Sequence, residues 1–294
     1  ATTGMISVVI GAIANIVLDP FFIFVLHLDI RGAAIATVLS QCLSAGFVLY
    51  FLSKKAEFKI HLLYKEEIRH CGKDAKNIVS LGAAGFVMQL TNSLVSICCN
   101  NILAATGGDV YISVMTIISS VRQMIETPIW SISEGSSPVI SYNYGAKRPK
   151  KVIEAWITMS VLALIYSLIA WSVILFAPKF LIGIFSSDKS LMIDTVPAMK
   201  LYFAAFIFML FQYTGQTMFK SLNKKKQAIF FSILRKVIIV VPLTYIFPYV
   251  FHMGSNGVFM AEPVSNVIGG SLCFTVMLLT VLPELKRMNP DLSI

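Results

Sequence analysis

Most of the residue patterns that run enzymatic chemistry are missing from this sequence. Its four histidines, His27, His61, His70 and His252, are scattered and fall in predicted loops or at helix ends, which excludes a histidine cluster for haem or metal. No Ser/His/Asp spacing suggests a protease. The glycines never assemble into a phosphate-binding loop, so an ATP-driven mechanism within the chain is excluded too. Cys42, Cys71, Cys98, Cys99 and Cys273 have no CxxC spacing and read as small apolar residues of a packed bundle. Charge is scarce: 13% of residues are charged and 56% are hydrophobic.

What fills the chain instead is long apolar runs. The mean hydropathy is +0.78, and eight stretches exceed the roughly 18 residues that a bilayer span requires. They cover approximately 5–26, 32–53, 77–105, 110–140, 152–177, 192–219, 227–250 and 257–282. In lipid each stretch must satisfy its own backbone, so an all-α membrane protein with eight transmembrane helices is expected. The fourth is too long for a simple span, and Pro128, Gly135 and Pro138 predict a kinked or broken end. The Ala-Thr-Thr-Gly-Met start has no basic n-region or small-residue cleavage site, so no signal peptide is expected. The net charge of +9 does not imply nucleic acid. Seventeen Lys and Arg lie in alternate connections or after the last span, against Arg31, Lys179 and Lys189 in the others. That asymmetry places residue 1 and the C-terminus on the cytoplasmic side.

Residues 22–41 and 247–266 form an internal repeat. Phe22, Val25, His27, Gly32, Ala36 and Ser40 recur 225 positions later as Phe247, Val250, His252, Gly257, Ala261 and Ser265. Repeats of this kind mark the halves of many transporters. A copy so near the N-terminus predicts that preceding chain is missing and that these eight spans are the remnant of a twelve-helix, two-bundle transporter. On that reading, 1–53 holds the last two helices of the N-terminal bundle. The segment 54–76 is a cytoplasmic interfacial linker, with Phe58, Ile60, Leu62, Leu63 and Ile68 set among lysines. Residues 77–294 form a C-terminal six-helix bundle.

Polar groups inside spans are costly, which makes each a functional candidate. Asn15 and Asp19 share one helical face, and Pro20 can free carbonyls for a cation. The plainer alternative is that Asp19 snorkels to water, but its depth in the span favours function. Gln89, Asn92, Ser96 and Asn100 form a stripe that is either glue between helices or the wall of a wet cavity. Arg122 and Glu126 are placed to pair at i, i+4. Gln212, Tyr213 and Gln216 lie near one face, and Glu262 and Asn266 are again four apart. In the repeat register Glu262 corresponds to Thr37, and Asp19 to Thr244. Glu134 reads as interfacial. Of Tyr142, Tyr144, Trp156, Trp171, Tyr202 and Tyr249, most read as membrane-boundary or lipid-facing aromatics and a few as able to line a pocket for flat or cationic ligands.

The segments GAIANIVLDPFFIF (11–24), GAAIATVLSQ (32–41), SPVISYNYGAKRPKKV (137–152) and NGVFMAEPVSN (256–266) resemble the multidrug and toxic compound extrusion family. The resemblance implies two six-helix bundles around a central cavity and export of organic, often cationic, compounds in exchange for Na⁺ or H⁺. It also implies a cation-coupling site to which Asn15, Asp19 and Thr37 contribute, with Na⁺ possible at Asp19. The acid that the family places on its first helix has no counterpart here. Gln89, Asn92, Arg122, Glu126, Gln212, Gln216, Glu262 and Asn266 are the expected cavity or secondary coupling residues. No cofactor is expected beyond the coupling ion, and the partners are the lipid bilayer and a small organic cation. A monomer in a bacterial cell membrane is expected. The rival is a lipid-linked oligosaccharide flippase, which would line its cavity with several Arg or Lys for pyrophosphate. Arg122 is the one clear mid-span cation, with Lys200, Arg235 and Lys236 nearer helix ends. A membrane-embedded enzyme lacks the necessary constellation, and a channel lacks a filter-like element.

Overall fold

The structure is a computed structural model that describes residues 2–55, 72–186 and 188–288. The expected interfacial linker at 54–76 falls largely outside them. The described residues form helices: α1 (Thr2–Pro20), α2 (Asp29–Lys54), α3 (Gly72–Gly145), α4 (Pro149–Phe176), α5 (Pro178–Phe185) and α6 (Lys189–Tyr202). They continue as α7 (Phe208–Ser221), α8 (Lys225–Ile233), α9 (Val241–Tyr245), α10 (Ser255–Ser265) and α11 (Ser271–Met288). Widened π turns occupy Phe21–Val25, Leu234–Val240, Ile246–Val250 and Asn266–Gly270. The chain divides into two compact units, Ala1–Asn77 and Ile78–Ile294.

In the first unit α1 and α2 form a hairpin held by small residues, which let helix backbones approach closely. Gly11 lies against Ser44, and the Ser44 hydroxyl donates to the Ser7 carbonyl at 2.8 Å. At the turn, a Cβ on Gly32 would sit 2.8 Å from the Phe22 carbonyl oxygen, so only glycine fits.

The second unit repeats this local geometry at the same offset of 225. The π turn Ile246–Val250 answers Phe21–Val25. His252 (φ 53°) answers His27 (φ 49°), and Gly254 (φ 56°) answers Asp29 (φ 46°). The bonds Leu26 N–H to Phe21 O and Leu28 N–H to Phe22 O recur as Phe251 to Ile246 and Met253 to Phe247, all at 3.1 Å. A Cβ on Gly257 would meet Pro248 N at 2.7 Å. The sequence repeat is therefore a repeat of backbone shape.

Among the described residues six helices are long and apolar enough to cross a membrane. Two features account for the difference from eight. The third and fourth expected spans form one helical run, α3, interrupted by non-helical dihedrals at Gly108 (φ 67°, ψ −165°). The break expected at Pro128, Gly135 and Pro138 does not form. Hydroxyls of Thr127, Ser131 and Ser136 bond carbonyls one turn back, which supports the backbone around the prolines. The sixth span is split into α6 and α7, each 14 residues. The turn between them tightens to i→i−3 bonds, and the Trp171 indole donates to the Phe203 carbonyl at 3.0 Å. At the start of α6, Asp188 caps by accepting from Ser190 N–H and Oγ, which holds its carboxyl below its ordinary value.

Packing in the second unit leaves one side of α4 (Ile157, Val161, Ile165, Leu168 and Ile169) exposed. That apolar face is the surface a bilayer would cover. Leu103, Ile118, Met199, Phe206 and Phe259 are fully buried in the core, beside a second cluster in which Phe219 and Phe231 stack at 5.7 Å.

Candidate functional site

The second unit contains a cavity of about 480 Å³. Its charged wall is built by the π turn Leu234–Val240, which interrupts the helix in the middle of an apolar run. In a regular α-helix consecutive side chains diverge by about 100°. The wider turn brings both Arg235 and Lys236 onto the cavity wall, at 5% and 7% exposure. Such widened turns are frequent at functional sites.

Glu262 on α10 is the hub. Arg235 Nη1 donates to its Oε1 at 3.0 Å and to Asn266 Oδ1 at 2.5 Å, so one guanidinium ties the two residues four apart. Arg122 Nη2 and Lys236 Nζ each lie 3.8 Å from the same Oε1. The backbone carries this geometry as well. Glycine at 269 leaves room for the arginine stem, since a Cβ there would meet Arg235 Cγ at 2.8 Å. Arg122 and Glu126 pair through Nε and Oε1, as their spacing predicts. Arg122 also donates to the Tyr202 hydroxyl at 2.8 Å, and Tyr213 donates to Glu126 Oε2 at 3.2 Å. Toward one end Lys220 meets Glu134 at 2.8 Å.

Several expected residues thus converge on one site. Asn92, Arg122, Glu126, Gln212, Gln216 and Glu262 line the cavity, and Asn266 is joined to it through Arg235. Ser96 lines it too, whereas Asn100 is exposed and does not. The side chain of Gln89 falls outside the described residues. In the first unit Asn15 Nδ2 donates to Asp19 Oδ1 at 3.4 Å, while the exposed Thr37 hydroxyl turns back to the Ala33 carbonyl. Among the described residues no hydrogen bond joins Thr37 to that pair.

One sequence reading is corrected. Arg235 and Lys236 are not helix-end cations but buried cavity residues; their position inside the apolar run 227–250 was the available signal. Tyr202 is one of the aromatics that line the cavity, buried with its hydroxyl on Arg122. Trp171 supports the α6–α7 break.

A helical membrane protein with a charged internal cavity is the class that fold and site define. A profile of the MatE family matches residues 84–246, more than half of the sequence, and the chain belongs to that family. "Multidrug export protein MepA" of Staphylococcus haemolyticus strain JCSC1435 is 24% identical over 290 residues, 98% of this chain and 61% of that protein. The Staphylococcus aureus NCTC 8325 / PS 47 protein of the same name is 26% identical over 294 residues, 98% of this chain and 62% of that protein. The chain therefore spans about three-fifths of the length of these curated relatives. A crystal structure of MATE in the bent conformation shares the fold with TM-score 0.82 and 22% identity over 99% of this chain and 64% of that one. An outward-facing multidrug resistance MATE transporter of the MOP superfamily gives 0.83 and 23% over 96% and 63%.

Proposed function

We propose that this protein is a secondary active antiporter of a bacterial cell membrane, with eight crossings in the described chain. It exports small organic compounds in exchange for inward Na⁺ or H⁺ by alternating access. The observation that carries this reading is a charged cavity inside a membrane-spanning unit of a MatE chain. The printed names of the staphylococcal relatives, multidrug export proteins, support export as the direction. The protein acts as a monomer in the bilayer, without a cofactor other than the coupling ion and without nucleic acid.

Asn15, Asp19 and Thr37 are the proposed cation-coupling residues. A carboxylate held in a low-dielectric span tends to take up a proton or a cation. The backbone repeat supports this pairing across α1 and α2. Thr244 and Glu262, the repeat counterparts of Asp19 and Thr37, line one cavity in the second unit. Coupling requires only that ion and cargo favour different conformations, and a difference of about 1–3 kcal/mol suffices to bias them.

The test is flux of a fluorescent organic compound from vesicles that contain the protein, with Na⁺ and pH gradients imposed separately. Asp19→Asn is expected to abolish ion-driven flux while membrane insertion stays intact. Flux at wild-type level in that variant would reject Asp19 as the coupling residue. The flippase alternative has one observation in its favour, the four cations Arg122, Lys220, Arg235 and Lys236 on the cavity wall. Scrambling of a pyrophosphate-linked lipid without any ion gradient would favour it over antiport.

A further inference from the structure

The cavity of the second unit is lined by one more cation than acids. Arg122, Lys220, Arg235 and Lys236 line it, against Glu126, Glu134 and Glu262. Each acid already has a partner within hydrogen-bond reach: Glu126 has Arg122 and Tyr213, Glu134 has Lys220, and Glu262 has Arg235. Lys236 has only a long pairing, to Glu262. It is 93% buried by its 7% exposure, and its nearest acid oxygen, 3.8 Å away, is already held by Arg235 at 3.0 Å. Among the described residues it makes no hydrogen bond. A buried ammonium with three donors and one distant carboxylate oxygen is poorly satisfied, and an occupant of the cavity can supply the missing acceptors.

We propose that this cavity binds an organic acid. Its carboxylate or phosphate monoester oxygens sit on the Lys236 ammonium, flanked by Arg235 and Arg122. Its apolar or aromatic body lies against Met115, Trp130 and Val258. The volume of about 480 Å³ suits a small organic ligand. This deepens the export reading by naming the charge of the cargo, and it departs from the organic cation that the family resemblance implies. The acid group can belong to a soluble compound or to an anionic lipid headgroup, and the chemistry at Lys236 is the same.

The test uses the purified protein in phosphatidylcholine nanodiscs and compares 2-naphthoate with its cationic counterpart 2-naphthylmethylamine by tryptophan fluorescence. Naphthoate is expected to bind at least tenfold tighter. Lys236→Met is expected to weaken it tenfold or more, and Lys236→Arg to hold it within about threefold. Equal or tighter binding of the amine overturns the proposal, as does wild-type naphthoate affinity in Lys236→Met. Lys236 is held only by a long pairing while Arg235 keeps Glu262 paired at 3.0 Å, so Lys236→Met should melt no lower than wild type. Should it misfold, the comparison of the two ligands on the wild-type protein decides alone. Nanodiscs doped with phosphatidylglycerol identify the source. Competition with naphthoate assigns the acid to a lipid headgroup and no competition to a soluble compound, and both results uphold the acid site. Binding is measured without a gradient. Retained naphthoate binding with no ion-driven flux therefore sinks only the antiport reading, whereas flux of a cation with no naphthoate binding sinks only this one.

Discussion

At the scale of residues, Glu262 carries the organisation of the cavity. Three cations address one of its carboxylate oxygens, and Asn266 shares the nearest of them. Neutralising the acid leaves those cations to repel one another in a buried site, and breaking such a pair from one side typically costs about 3–5 kcal/mol. Glu262→Gln is therefore expected to lower thermal stability in detergent markedly. The double change Glu262→Met with Arg235→Met is expected to recover most of the loss, because both partners leave together. If the double variant melts as low as the single one, the pairing is not what Glu262 contributes. The sequence disclosed this cluster unevenly. Arg122 with Glu126 and Glu262 with Asn266 were legible because four-residue spacing puts side chains on one helical face. Arg235 and Lys236 were not, because adjacent residues on a regular helix do not share a face, and the π turn that makes them do so has no simple sequence mark.

At the scale of elements, the repeated turn is the best-determined piece of the fold. Its six sequence identities include the glycine that each copy needs where the following helix crosses the turn. Gly32→Ala and Gly257→Ala both push a Cβ against backbone atoms under 3 Å away. Each is expected to cost about 1–3 kcal/mol in unfolding experiments. Gly46→Ala in α2, where a Cβ meets nothing within 4 Å, is expected to be neutral or to gain up to about 1 kcal/mol. Equal losses at all three positions would contradict the role given to the turn. Helix existence was readable from apolar length alone. The break at Gly108 falls in the connection expected between 105 and 110, whereas the turn after Tyr202 was not readable, because it is held by a contact distant in sequence, Trp171 to Phe203. Proline, the familiar signal for a break, misled at positions 128 and 138, where neighbouring hydroxyls support the backbone.

At the scale of the whole molecule, the remaining question is how often the chain crosses the bilayer. Among the described residues six helical stretches qualify by length, while the distribution of Lys and Arg predicts eight crossings. Single cysteines at Lys150, Lys179 and Lys224 distinguish these counts when the five native cysteines are replaced by serine. With eight crossings, positions 150 and 224 are expected to react with an impermeant maleimide only from the cytoplasmic side, and position 179 only from outside. Labelling of 179 and 224 from the same side would mean that α6 and α7 together do not cross.

The π turns also bear on how such a chain can diverge. Those at Leu234–Val240 and Asn266–Gly270 lie inside helices and hold one residue more than regular winding needs, so losing a single residue there leaves a continuous helix. Everything beyond the deletion would swing by about 100° around the axis. Three of these turns lie between Leu234 and Gly270, the stretch that aims Arg235, Lys236 and Glu262. Loss of one codon, ordinarily ruinous inside a membrane span, is here a compact route to re-aiming the cavity's charges toward a different cargo.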